Sequence, residues 1–327
     1  MILAFPAARI GYFKVIGPVI EEALRRKHTV LLYWTRDRKP GEQARYADVS
    51  HRWWSTTVIT DPSPADAFIG PTLHTHDVSA WSSARLVSLD YSWEQANAPV
   101  IPGMLQCYVS DYQYRLADRH RSDWWAPTLG STQLDAWAAA RPLPSESSPM
   151  LLLFSCKLRV GGWRRFVYRY AGYRRLLTRL RRWCDTEKLR LVIKTRRKHA
   201  DPAYVRQLAD AVYEDTELYP PMSLRLIRSA TVAVHFQSGA AMELAHAGVP
   251  QYSVTLPQPH LDGHRTTHEC YSGMPYTFGY WPGVIRPLVT NPEPFAIDPD
   301  ALGIYRARYL GPSNASARLL DLLERGR

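Results

Sequence analysis

Residues 223–250 hold the densest set of residues able to do chemistry. Ser223 to Ala230 has helical spacing, Thr231-Val232-Ala233-Val234-His235 reads as a buried strand, and Gln237-Ser238-Gly239 is a small polar turn. A helix around Ala240 to Ala247, then Gly248-Val249-Pro250 and the strand Gln251-Tyr252-Ser253-Val254, complete the unit. A helix N-terminus that emerges beyond the carboxyl end of a strand offers free amides and the positive end of the helix dipole, which suits a phosphate. Glu243, one turn further in, could reach the hydroxyls of a ribose. Lys157 and Arg159 follow the first strand of the same half of the chain, and Lys194, Arg196, Arg197 and His199 follow the next. Loops beyond the carboxyl ends of neighbouring strands converge on one crevice in a doubly wound sheet, so these cations could offset the charge of a leaving diphosphate. Read alone, Ser238 could be only a helix cap and each cation only part of a solvated basic rim.

A carboxylate or histidine beyond a strand end could also act as a general base. Asp90 and Glu94, in Leu89-Asp90-Tyr91-Ser92-Trp93-Glu94 just past a strand-like run, are the candidate bases, with His74, His76 and Asp77 as rivals in a segment that resists ordering. Gly11, His235, His260 and His264 are expected to line the cleft without an assigned role. His260, His264 and His268 recur every four residues along one helical face, but His264-Arg265-Thr266-Thr267-His268-Glu269 lacks the HExxH order, and no metal site is expected.

The elements that must position these groups alternate along the chain. Ile2-Leu3-Ala4-Phe5 reads as a buried strand, a turn containing Gly11 follows, and Val15, Ile16, Val19, Ile20, Ala23 and Leu24 fall at helical spacing before Thr29-Val30-Leu31-Leu32-Tyr33-Trp34. This is a βαβ unit, which implies a parallel sheet. Residues 38–84 do not sort into elements; strand-like runs return at 85–89 and 105–109. The Pro- and Ser-rich stretch 141–149 reads as a linker, after which strands at 150–154, 189–194, 231–235 and 251–254 alternate with helices from about Trp163 and Asp201 and around Ala240. The expected fold is two Rossmann-like, doubly wound α/β domains facing a central cleft: residues 1–140 for the acceptor and 150–312 for the nucleotide. Ser313 is expected to cap a final helix in 313–327 that packs back on the first domain.

Ser238-Gly239, Glu243 and Gly248-Val249-Pro250, over about 30 residues, resemble the carboxy-terminal nucleotide-binding half of GT-B glycosyltransferases and their CDP-glycerol phosphotransferase relatives. The resemblance implies a metal-independent transferase that uses a nucleotide-sugar as substrate and no cofactor, with a glycan or lipid-linked acceptor of the bacterial surface. Ser238, Gly239 and Glu243 would then hold diphosphate and ribose, Lys157 and Lys194 would offset phosphate charge, and Asp90 or Glu94 would be the base. The histidine of the CDP-glycerol type is missing at the corresponding strand end, which disfavours glycerophosphate transfer. A CDP-polyol phosphotransferase and a nucleotide-sugar 2-epimerase are the enzyme alternatives.

The surface chemistry agrees with anionic ligands. Lys and Arg total 41 against 30 acidic residues, a formal charge of +11. Trp163 to Trp183 interleaves aromatics with eight arginines and could lie on an anionic membrane or RNA, or simply be solvated. No RNA-binding signature accompanies the charge, so nucleic acid is not the expected partner, although a non-catalytic basic binder remains the alternative from another class. Cys107, Cys156, Cys184 and Cys270 show no CxxC spacing, and no run of about 18 apolar residues occurs. A cytoplasmic protein, peripheral on the inner face of the membrane, is the expectation.

Overall fold

Short all-apolar runs such as Leu151-Leu152-Leu153 are stable as strands only where both faces are covered, as in parallel sheets sandwiched by helices. The computed structural model describes residues 1–7, 10–34, 42–56, 58–73, 76–90, 101–117, 125–126, 128–137, 140, 148–155, 170–195, 201–214, 219–236, 238–254, 277–278 and 298–326. The chain divides into two units: Met1–Ala139 with Leu218–Pro220 and Ala307–Arg327, and Ala140–Glu217 with Pro221–Arg306.

The first unit holds strands β1 (Ile2–Pro6), β2 (Thr29–Tyr33), β3 (Val58–Ile59), β4 (Ala67–Gly70), β5 (Arg85–Leu89), β6 (Leu105–Cys107) and β7 (Trp125–Ala126). Their order is β3-β2-β1-β4-β5-β6-β7, with every pair parallel. Helix α1 (Phe13–Arg25) buries Phe13, Val15, Ile16, Val19, Ile20 and Ala23, the inward face that its spacing predicts. Helices α2 (Glu42–Trp54), α3 (Asp111–Leu116) and α4 (Thr132–Asp135) follow. So α2, β3 and β4 fill much of the stretch 38–84, where short strands and mixed composition hide the period.

The second unit holds β8 (Met150–Phe154), β9 (Arg190–Lys194), β10 (Ala211–Tyr213), β11 (Val232–His235), β12 (Gln251–Val254) and β13 (Thr277–Phe278), all parallel, in the order β10-β9-β8-β11-β12-β13. Helix α5 (Tyr170–Glu187) lays Tyr173, Leu176, Leu177, Leu180, Trp183 and Cys184 on a core that includes Leu151, Leu153, Leu191 and Ile193. Helices α6 (Tyr204–Leu208), α7 (Met222–Ser229), α8 (Ala240–Ala247) and α9 (Pro299–Tyr309) complete it, the last residues of α9 belonging to the first unit. Both sheets thus share one doubly wound order, as the alternation of elements predicts. Each order reverses direction once, between β1 and β4 and between β8 and β11, and ligands of such sheets bind beyond the strand ends at that point.

Helix α10 (Ala315–Arg325) lies in the first unit against α1 and α4. Its Leu319, Leu320 and Leu323 are fully buried, at about 1.5–3 kcal/mol each. Arg26 reaches Asp321 at 2.7 Å and Glu324 at 2.9 Å, but those carboxylates are 44% and 37% exposed, so the leucines hold the helix and the ion pairs set its register. Ser313 is not the cap: Asn314 occupies that position at φ 59°, without a side-chain cap bond, and the Ser316 amide donates instead to Asp135 at 2.7 Å.

The entry to α10 depends on a left-handed glycine. Gly311 sits at φ 65°, and a Cβ there would press on the Val109 carbonyl oxygen, far inside van der Waals contact. Gly311→Ala is expected to cost about 2–4 kcal/mol in chemical denaturation. Gly303→Ala, inside α9 with nothing near the added methyl, is expected to gain about 0.5–1 kcal/mol; equal effects would contradict this account.

Candidate active site

In the second unit β8 and β11 run side by side, with Leu153 opposite Val234, so the chain leaves the sheet at Ser155 and Phe236 on either side of the reversal point. On the next strand Lys194 ends β9, and its carbonyl accepts the Ser155 amide at 2.9 Å. Lys194 is 9% exposed, with Nζ donating to the Thr195 carbonyl at 3.3 Å. The Ser155 hydroxyl is buried and has no hydrogen-bond partner among the described residues. A buried hydroxyl beyond a strand end, left unsatisfied, is a group that a ligand would complete.

His235 ends β11, fully buried. The Gln251 amide nitrogen donates to the Ala241 carbonyl at 3.2 Å, so its Oε1 faces His235 Nε2 at 3.0 Å and can only accept. His235 therefore carries its proton on Nε2, and bare Nδ1 accepts the Ser238 amide at 3.3 Å. Burial lowers its pKa to about 4, opposed by the bond to Gln251. Sequence reading placed His235 in the cleft lining; it is instead a support beneath the Ser238 turn, joining β11, β12 and α8.

Above that support, Ser238 is half-buried and its Oγ accepts the Ala240 amide at 3.3 Å, while its carbonyl accepts Ala241 at 2.9 Å. Ser238, one residue before the N-cap Gly239, therefore satisfies the first amide of its own helix in the manner of a cap. Gly239 is exposed, with open space where a Cβ would stand. Glu243 lies in the first turn of α8, buried at 3% exposure. Gly248 takes φ 73° and closes α8, with Val249 N–H returning to the Leu244 carbonyl at 3.0 Å, and Pro250 accepts the Ala233 amide at 2.8 Å as β12 begins. The Gly-Val-Pro part of the motif is thus a helix stop and strand start. Arg306 caps the same end, donating to Ala245 and His246 carbonyls at 2.8 and 2.6 Å.

In the first unit Asp90 follows β5, 5% exposed. Gln106 donates to Oδ1 at 2.7 Å and Gln113 to Oδ2 at 2.9 Å, while Gln113 Oε1 accepts the Val109 amide at 2.7 Å. Burial pushes the Asp90 carboxyl well above the usual range, and the Gln106 bond opposes that rise. No sequence spacing announces these partners, which lie 16 and 23 residues away. Gly11 is exposed in a 3-10 turn, Ile10–Tyr12, that the Tyr12 hydroxyl ties to Thr72 Oγ1 at 2.6 Å. Asp77 accepts the Ser79 amide and hydroxyl at 3.1 and 2.6 Å and so builds a turn. Glu94, Lys157, Arg159, Arg196, Gln237, His260 and His264 lie outside the described residues. Among the described residues, no group of three or more His, Cys, Asp or Glu could hold a metal.

No family model and no curated protein matches the sequence. The structure is similar to a Listeria monocytogenes protein assigned as a UDP-N-acetylglucosamine 2-epimerase, with TM-score 0.62, 12% identity, and 99% of this chain and 96% of that one covered. It is also similar to the glycotransferase of kitacinnamycin, with TM-score 0.57, 14% identity and 99% and 98% covered. A third similar structure is the wall teichoic acid polymerase TagF, with TM-score 0.59, 10% identity and 100% and 89% covered. At these identities the likeness is one of fold, and with the two doubly wound sheets it is the GT-B fold.

The His235 support makes stability pH-dependent. The unfolded imidazole binds protons at the ordinary value near 6.5 and the folded one only near 4, so stability is present above pH 6.5 and is lost as pH falls toward 4. The stability advantage of the wild type over His235→Asn is expected to shrink by about 3 kcal/mol between pH 7 and pH 4. A constant difference across that range in urea titrations would contradict the burial and tautomer assigned here.

Proposed function

We propose that this chain is a glycosyltransferase that takes a sugar from a nucleotide-activated donor to a glycan or lipid-linked acceptor. The observation that carries the reading is the Ser238-Gly239 turn. It stands at a helix N-terminus beside the sheet's reversal point, open above Gly239, held from below by His235 and neighboured across the strand ends by the unsatisfied Ser155 hydroxyl. Amides, hydroxyls and a buried lysine at the end of the adjoining strand are the groups a diphosphate needs. In this reading Ser238 and Gly239 hold phosphate, Glu243 the ribose, and Lys194 with Lys157, Arg159 and Arg196 offset the leaving charge; Gln237 completes the turn. Asp90 or Glu94 takes the acceptor's proton. The basic balance of +11 favours an anionic donor. The similarity in fold to a protein assigned to UDP-N-acetylglucosamine chemistry makes uridine nucleotides the first to try.

Thermal unfolding with a panel of nucleoside mono- and diphosphates tests the donor site. One nucleotide at about 100 times its Kd should raise the midpoint by several degrees. Ser238→Ala should weaken its binding by roughly 10–100-fold, and Glu243→Ala should weaken it too. Gly239→Ala is the sharper variant, because its methyl meets nothing among the described residues yet enters the space a phosphate would fill; its own midpoint should stay put while nucleotide stabilisation is lost. Stabilisation by no nucleotide would overturn the reading. Conversion of a bound UDP-sugar to its C2 epimer without any acceptor would replace transfer by epimerisation.

A further inference from the structure

The arginine-rich segment before the second strand of unit two is sorted by the structure into different tasks. Arg181 is used internally, bonding Asp185 at 2.8 Å and Asp210 at 2.5 Å. Tyr173 and Trp183, the aromatics of α5 whose side chains are described, face the core at 0% and 3% exposure. Arg174, Arg175, Arg179 and Arg182 are exposed together on the opposite face of α5 with half-buried Thr178, at spacing i, i+1, i+5 and i+8. These five residues line a concavity of about 400 Å³, along about 12 Å of helix. Arg174, Arg175 and Arg182 make no ion pair among the described residues, and Arg174 is steadied over the Tyr204 ring at 5.7 Å from its centroid.

We propose that this face of α5 docks the protein on an anionic lipid surface. Four guanidinium groups on one face match a plane of phosphate headgroups, each offering paired N–H donors. The chemistry favours lipid over single-stranded nucleic acid because, among the described residues of α5, the rings that could stack bases, Tyr173 and Trp183, are turned into the core, and the half-buried Tyr204 ring is covered by Arg174. The described residues of this face carry charge and no exposed apolar side chain, so the contact is electrostatic, stays at headgroup level and weakens steeply with salt. It goes beyond the donor reading and does not rest on it, since vesicle binding uses no nucleotide.

Flotation with phosphatidylcholine vesicles, with and without phosphatidylglycerol, tests it. The wild type should bind only the anionic vesicles, and raising salt from 50 to 300 mM should release it. Changing Arg174, Arg175, Arg179 and Arg182 together to Gln should weaken binding on the order of a hundredfold, less than the roughly fivefold per residue expected in full contact. The same four changed to Lys should keep most of it. Arg52, Arg115, Arg206 and Arg325 changed to Gln remove equal charge from exposed sites elsewhere and should leave binding within about threefold. Solvent-exposed substitutions leave the core intact, and an unchanged unfolding midpoint checks that. Equal loss in both Gln sets would make the effect one of net charge and overturn the proposal. So would an unaffected face variant, or face-dependent binding to an RNA homopolymer in place of vesicles.

Discussion

A buried imidazole at the end of β11 has two hydrogen bonds to make and no water to make them with. His235 solves this by donating from Nε2 to Gln251 and accepting at Nδ1 from Ser238. Leaving either group unsatisfied would cost about 1–3 kcal/mol, so the two strands, the turn and the helix are held to one arrangement. Everything proposed for the turn depends on that constraint. The position of the Ser238 amide, the start of α8 and the open space above Gly239 are where they are because a neutral histidine stands beneath them.

The first unit uses the same device with opposite polarity. There the buried titratable group is Asp90, and the orienting amide is Gln113, pinned because its Oε1 accepts the Val109 N–H. Gln251 is pinned the other way, through its nitrogen to the Ala241 carbonyl. A pinned amide can present only one end, so Gln113 presents a donor to a carboxylate and Gln251 an acceptor to an imidazole N–H. In the two sheets the group stands at a strand end, His235 as the last residue of β11 and Asp90 as the residue after β5, where a buried titratable side chain needs such partners to stay in one protonation state. For Asp90 burial disfavours the ionised form and outweighs the opposing Gln106 bond, so the carboxyl is held well above the usual range.

What was legible in the sequence follows from how much of each signal is local. Leu151 to Phe154 or Val232 to His235 announces a strand by composition alone, and the alternation of such runs with helical spacing implied the doubly wound sheets. Strands of two or three residues, such as β3, β7 and β10, carry too little pattern to be read, and α9 has mixed faces with Ile304 exposed at 70%. Gly248-Val249-Pro250 carried part of the resemblance without a role of its own, and it serves the backbone, ending α8 and starting β12. Gln106 and Gln113 were invisible because their value lies in contacts across 16 and 23 residues. Ser155 was invisible because a lone serine after a strand has no distinguishing neighbour; what marks it is a buried hydroxyl without a partner among the described residues, placed beyond β8 at the reversal point of the sheet.

The bond that the Ser238 hydroxyl makes to its own helix is compatible with the ligand contact proposed for it. The hydroxyl accepts the Ala240 amide at 3.3 Å, a long bond at the weak end of the range. A cap of this kind contributes about 1 kcal/mol, whereas a hydrogen bond to an ionised oxygen contributes about 1.5–3 kcal/mol. In the proposed reading the hydroxyl would turn to donate to a phosphate, and the Ala240 amide it leaves would be satisfied by the same anion. The helix then loses a cap and gains an anion at its positive end, which replaces the cap's stabilisation. In the proposed reading the cap is the resting state of the binding group, keeping the turn formed and its donors directed before a donor nucleotide arrives.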